Sequence, residues 1–219
     1  MILLQIACLS LPWGLRRRVL NAAFGWSIDP TARIGLSLLA TPRLTMGPNS
    51  RIGHLNFARH IEEMTLGRGA LLGNKNWISG WPIGSNRAFQ DSGRAPSLHI
   101  NNEAAITHSH RIDCTDRVTI GAFTTIAGWN TQLITHAIKV TEARQRCGPI
   151  EIGSYCFVGS RCVILNGARL PDYSVLSAGS VLSRAHDEPY GLYSGVPATR
   201  QRTLDPNAAY FTRTAGPCY

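Results

Sequence analysis

Residues 152–182, taken in sixes, read Ile152-Gly-Ser-Tyr-Cys-Phe, Val158-Gly-Ser-Arg-Cys-Val, Ile164-Leu-Asn-Gly-Ala-Arg, Leu170-Pro-Asp-Tyr-Ser-Val, Leu176-Ser-Ala-Gly-Ser-Val and then Leu182. An aliphatic residue opens each unit. Four positions after the first five of them stands a small residue: Cys156, Cys162, Ala168, Ser174 or Ser180. A period of six matches neither an amphipathic helix nor a simple alternating strand. It matches a short strand followed by a tight turn, with the aliphatic residue inward and the small one in a crowded corner. Stacked units of this kind make a parallel β-helix. With three hexads per triangular coil, residue i lies above i+18, one strand spacing of about 4.8 Å along the axis. Ile152 is then expected against Leu170, Val158 against Leu176 and Ile164 against Leu182. A sandwich of short strands has a longer period than this.

Upstream, the same pattern begins at Ile28 and Ile34 and continues at Met46 and Ile52. It slips over residues 58–65, resumes at Leu66, Leu72 and Ile78, returns at Ile100, Ile106 and Ile112, and then shifts by two residues to Ile120 and Ile126. The expected organisation is an N-terminal segment (1–27), a β-helix (28–204) interrupted by loops at 79–97 and 137–149, and a C-terminal tail (205–219). The first loop, with Trp81-Pro82, Gly84, Gly93 and Pro96, reads either as an excursion carrying substrate contacts or as a solvated insertion.

The 219 residues suit one large domain, and a hydrophobic content of 44% excludes a disordered chain. The net charge of +9, from 22 basic and 13 acidic residues, calls for an anionic partner such as a phosphorylated cofactor or an anionic membrane surface. Nucleic acid is not an expected partner: there is no zinc-finger spacing and no dense basic run beyond Arg16-Arg17-Arg18. The six cysteines form no CxxC pair, and Cys156 and Cys162 fall on small-residue positions, so buried free thiols in a reducing cytoplasm are expected. Residues 1–26 combine a Leu/Ile-rich start, Trp13, Arg16-Arg17-Arg18 and Trp26. They have the composition of a cap over the first coil and of a peripheral membrane contact, and the two are compatible. The opening apolar run is too short to span a bilayer and lacks a preceding basic residue, so no signal peptide is expected.

A composite pattern goes further than the repeat. Val118-Thr-Ile-Gly-Ala-Phe-Thr-Thr-Ile-Ala-Gly is followed by Leu133-Ile-Thr-His136, then by Ile150-Glu-Ile-Gly-Ser-Tyr-Cys-Phe-Val-Gly-Ser and Tyr193-Ser-Gly-Val-Pro-Ala198. Over roughly residues 100–204 this resembles the hexapeptide-repeat acyltransferases, in particular maltose and galactoside O-acetyltransferases and those of polysaccharide clusters. The resemblance implies an all-β, left-handed parallel β-helix, a homotrimer with clefts between subunits, acetyl-CoA as donor without a metal, and a sugar or glycan hydroxyl as acceptor. An amine acceptor, and a β-helix scaffold that has lost the reaction, are the alternatives.

His136 is the expected general base. Acyl transfer to a hydroxyl requires removal of the acceptor proton, imidazole suits that near neutral pH, and the resemblance gives this role to the histidine closing Ile134-Thr135-His136. Ala137-Ile138-Lys139 departs from the turn that usually follows. His110 is a second catalytic candidate, a partner for His136 or the acceptor, or else a hydrogen-bonded rung. In an extended strand His108 and His110 would share a face. Asp113 and Asn130 are candidates for holding the acceptor or the base. For the coenzyme A arm the resemblance points to Gly159, Ser160, Ala178 and Gly179. Pro197 lies in a signature where Val196 replaces asparagine, and Arg200 and Arg202 are placed to meet phosphates. Ser109 lacks a nucleophile elbow, and Cys114 has no supporting partner in the sequence. His108, His110 and His136 lack the spacing of a zinc triad.

Overall fold

The computed structural model describes residues 1–84, 87–89 and 93–216. Parts of the 79–97 excursion (85–86 and 90–92) and residues 217–219, including Cys218, lie outside the described residues. Three parallel sheets form the sides of a triangular prism, with inward side chains stacked in columns. The first side carries Ile28, Met46, Leu66, Ile100, Ile120, Ile152 and Leu170. The second carries Ile34, Ile52, Leu72, Ile106, Ile126, Val158 and Leu176, and the third Leu39, Ala58, Ile78, Ile112, Leu133, Ile164 and Leu182. Each is buried, and a fully buried aliphatic side chain contributes about 1.5–3 kcal/mol. The strands of these columns are two to four residues long because each side is crossed in about half a hexad before the corner turns, and among the described residues only the closing hairpin at the far end has longer ones.

The expected 18-residue register holds where it was read: Ile152 pairs with Leu170, Val158 with Leu176 and Ile164 with Leu182. It holds as well between Ile28 and Met46. Elsewhere the third corner is longer. Met46 pairs with Leu66 and Ile100 with Ile120, twenty residues apart, which accounts for the slip at 58–65 and the two-residue shift before Ile120. The 80–96 excursion leaves from this corner after the third coil. A second interruption follows the fifth coil, where 137–149 is not an irregular loop. His136–Lys139 pairs antiparallel with Arg144–Cys147 in a hairpin that exposes Ile138 on its first strand and Val140 at its tip.

The open first coil is covered by α1 (Ile2–Ala7) and α2 (Trp13–Phe24). An uncovered end would present unpaired backbone groups from three sheets. Gln5 answers both at once on the third side, donating to the Leu39 carbonyl (2.7 Å) and accepting from the Leu39 N–H (3.0 Å). Trp13 donates to Ala32 O, and Arg16 to Ile34 O and Gly35 O. At the far end Gly191–Gly195 continues the second side and Ala198–Thr203 closes it antiparallel.

From the second coil on, a residue at the corner between the first and second sides takes left-handed backbone, and four of these are aromatic: Phe123, Tyr155, Tyr173 and Tyr190. Their rings stack at 4.7, 5.2 and 4.8 Å, the spacing of the strands beneath. The C-terminal segment packs on this ladder and is no free tail. Phe211 meets Tyr173 and Tyr190 edge-on, Tyr210 donates to Cys156 O (2.9 Å), and the Arg213 guanidinium lies 5.5 Å from the Tyr155 ring.

Candidate active site

His136 and Asp113 meet at the corner that ends the third side. Asp113 closes the strand Arg111–Asp113 and pairs in register with Ile134 one coil further on; His136 follows Ile134 by two residues and turns its ring back over the carboxylate. His136 Nδ1 lies 2.7 Å from Asp113 Oδ2. The same oxygen accepts the Thr135 N–H (2.8 Å), the Thr135 hydroxyl (2.8 Å) and the His136 N–H (3.1 Å), while Oδ1 accepts the Thr115 N–H (3.1 Å) and hydroxyl (2.7 Å). Both carboxylate oxygens are thus occupied by protein donors, and of the two readings open to Asp113, holding the acceptor or holding the base, these contacts describe the second.

The electrostatics follow from those bonds. Burial is the largest single influence on Asp113 and pushes its carboxyl up. Hydrogen bonds from His136, Thr115 and Thr135, with the nearby histidine, outweigh it and hold the group below the ordinary carboxylate value. The hydrogen bond to Asp113 raises the His136 pKa, partial burial opposes it, and the aspartate charge reinforces it. An ionised carboxylate accepts only, so Nδ1 carries the proton and Nε2 presents its lone pair outward. Nε2 has no hydrogen-bond partner among the described residues, and the side chain is 35% exposed.

The 80–96 excursion is tied to the same turn. Arg94 donates to Thr115 O (3.1 Å) and Pro82 O (2.7 Å), and the Ala95 N–H donates to Asp116 Oδ1 (3.1 Å). The Phe89 ring stands edge-on to the His136 imidazole at 6.4 Å, with Arg94 over its face at 4.9 Å and Trp81 beyond. Nothing in the sequence marks Phe89 as a neighbour of His136, since they are separated by a break in the repeat.

His110 is elsewhere. It occupies the corner between the second and third sides, fully buried in the column Ser37, Asn56, Asn76, His110, Thr131, Cys162, Ser180. Its backbone N–H donates to Asn76 Oδ1 (2.9 Å), Nδ1 accepts the Thr131 N–H (3.2 Å), and Nε2 lies 3.1 Å from Thr107 Oγ1. A backbone N–H can only donate, so the ring is the neutral Nε2–H tautomer. Burial, then the charge of His108, lowers its pKa to about 4. Of the readings open to His110, the rung is the one that these contacts describe, and no bond joins it to His136. His108 does not share its face. It is exposed in the turn, where its Nδ1 accepts the Asn74 N–H (3.1 Å), because Ser109 is left-handed and the segment is not extended there. Asn130 is an exposed left-handed turn residue whose N–H donates to Ser109 O (3.2 Å), and no contact joins it to His136. Cys114 is fully buried, and desolvation pushes its thiol well above the ordinary value.

Gly159-Ser160 and Ala178-Gly179 do stack, forming one column at the corner between the second and third sides, with the Gly179 N–H bonded to Ser160 O (2.9 Å). A Cβ on Gly159 would stand 2.6 Å from the Ala178 nitrogen, so the close approach of the two coils requires glycine. Pro197 is exposed, in the turn of the closing hairpin, after a cis peptide. Arg200 is engaged by Glu188 (3.2 Å) and Arg202 is exposed. The column and the His136–Asp113 pair stand at different corners, separated by the width of the third side.

The polysialic acid O-acetyltransferase OatWY superposes with a TM-score of 0.55 at 15% identity, covering 86% of this chain and 90% of that one. This is a left-handed hexapeptide-repeat β-helix. A hexapeptide-repeat acetyltransferase of Vibrio cholerae matches the β-helix over 92% of this chain and 87% of that one, at 19% identity and a TM-score of 0.46. In sequence, the chain is 31% identical over 80 residues to YvoF, a suspected acetyltransferase of Bacillus subtilis (strain 168). That match takes in 36% of this chain and 44% of YvoF, less than half of the curated relative. No protein-family model matches the chain.

Proposed function

We propose that this β-helix protein is an acyl-CoA-dependent O-acyltransferase, acetyl-CoA being the first donor to test, acting on a hydroxyl of a sugar or glycan precursor with His136 as general base. The observation that carries the reading is the 2.7 Å bond between His136 Nδ1 and Asp113, which leaves Nε2 without a hydrogen-bond partner among the described residues on a side chain that is 35% exposed. The acceptor hydroxyl gives its proton to Nε2 as its oxygen attacks the thioester carbonyl carbon. Asp113 stabilises the resulting imidazolium. The tetrahedral oxyanion collapses, the C–S bond breaks, and the thiolate of coenzyme A recovers the proton from Nε2. No acyl-enzyme is required.

The donor is assigned to the groove of Gly159, Ser160, Ala178 and Gly179, with Arg202 as a candidate for its phosphates. That groove and His136 stand at different corners, so a complete site needs a second copy to bring its corner alongside, consistent with a homotrimer. The hairpin, with Ile138 and Val140 exposed, is a candidate arm for that contact. Cys8, Cys114, Cys156 and Cys162, which form no disulfide among the described residues, fit a cytoplasmic setting.

Calorimetric titration with acetyl-CoA comes first, because it needs no knowledge of the acceptor, and a screen of sugars and amines follows. His136→Ala is expected to bind acetyl-CoA normally and lose about 10²–10⁴-fold in transfer. Transfer unchanged in that variant removes His136 from its role, and no acetyl-CoA binding by the folded assembly removes the donor.

A further inference from the structure

The cap over the first coil is built inside out. In α1 the polar residue is the buried one, Gln5, bonded to Leu39, while Leu3 is 82% exposed and Leu4 and Ile6 are exposed beside it. A surface helix ordinarily turns its apolar stripe inward and its polar residues to water. The pattern continues next door: Leu15 is exposed on α2, and Leu36 and Leu55 are exposed in successive turns, the Leu55 N–H bonded to Leu36 O. Those turns adjoin the cap, since Arg16 holds the Gly35 carbonyl. Isolated exposed leucines need no explanation, but a cluster at one end does.

Charge is segregated to the same end. Residues 1–60 contain seven arginines and one acidic residue, Asp29, so they carry +6 of the net +9. Residues 1–26 contain no acidic residue at all. Arg18 is exposed on α2, and Arg33 and Arg51 line an open cleft of about 480 Å³ with His54 and Asn74. No helix among the described residues is long and apolar enough to cross a membrane.

We infer that the N-terminal end of the β-helix docks on the surface of an anionic lipid bilayer, its exposed leucines entering the headgroup boundary and Arg18, Arg33 and Arg51 meeting lipid phosphates. Exposed apolar side chains at an end rich in arginine, with no acid in residues 1–26, are the recognition chemistry of such a surface. A second copy is a poorer occupant, because it would bring the same positive charge against itself. The inference does not depend on the transferase reading.

The test is co-sedimentation of the full chain with vesicles of phosphatidylcholine alone and of phosphatidylcholine mixed with phosphatidylglycerol, with sedimentation equilibrium in parallel. The wild-type protein is expected to pellet with the anionic vesicles and to be released by salt. Leu3→Glu combined with Ile6→Glu, at exposed positions that leave the Gln5 bonds intact, is expected to abolish pelleting with an unchanged melting temperature. Arg18→Glu should lower the partition coefficient by about fivefold or more. Failure of the wild-type protein to pellet overturns the proposal, as does pelleting that the double substitution leaves unchanged. A fall in assembly mass in the double variant, without any vesicle binding by the wild-type protein, would assign the patch to self-association instead.

Discussion

Asp113 and His136 are 23 positions apart in the chain and 2.7 Å apart in space, joined because one coil of the β-helix returns the backbone to the same corner. The pair is therefore a property of the coil length as much as of the two residues.

Replacing Asp113 with asparagine weakens the hydrogen bond and removes the charge that together raise the His136 pKa. The imidazole pKa should fall, the acid limb of the pH–rate profile should move to lower pH, and kcat should drop about tenfold or more. NMR titration of His136 beside the rate profile checks both. An acid limb that does not move would show that Asp113 only packs.

The same pair gives stability a pH dependence of defined sign. Asp113 is held below its ordinary value, so its contribution is present above the unfolded carboxylate pKa and is lost as pH falls through the lowered folded value. His136 is raised, so its contribution is complete below its unfolded pKa and is lost as pH rises through the folded value. Denaturant melts across pH should show both slopes, and Asp113→Asn should flatten both.

His110 should behave as structure. His110→Ala leaves the Thr131 N–H without its acceptor and opens a void, costing about 2–4 kcal/mol in a urea melt. Because its pKa is lowered to about 4, the stability that it confers is full above the unfolded histidine value and is lost as pH falls from about 6.5 to about 4. That loss is on the order of 3 kcal/mol. A folded His110→Ala variant is expected to keep its acetyl-CoA affinity.

Gly159→Ala should push the sixth and seventh coils apart, since the new methyl would meet the Ala178 backbone. Lower thermal stability, by about 1–3 kcal/mol, is expected together with weaker acetyl-CoA binding in calorimetry. Weaker stability with unchanged binding would move the donor groove elsewhere.

The fold was legible because its information is local. The hexads at 152–182 carry their own register, and every pairing read from them is present. The third corner was less legible, because a corner can take two extra residues without altering an inward column, and only the slip near Ala58 and the shift before Ile120 betray it. The site was half legible. The chemistry of His136 lies in a short motif, but the role of Asp113 depends on which residue stacks beneath Ile134, and that depends on the coil length. His110 shows the opposite failure: a histidine beside another looks like chemistry in a sequence, whereas its place in the small-residue column makes it a rung. The next coil makes room for it by taking five residues from Ile126 to Thr131 where its neighbours take four.

Nothing inside a repeating coil says how many coils there should be, so the height of this protein is written at its stoppers. At one end the Gln5 amide imitates the next strand, and at the other Ala198–Thr203 reverses direction against the last one. Between them the backbone is a ruler graduated at about 4.8 Å, which sets His136, on the fifth coil, about 20 Å above the capped end. A whole coil added or removed below it would raise or lower the reacting group by one graduation while leaving the cross-section unchanged. On a bilayer, that height would fix how far from the lipid surface an acceptor must reach.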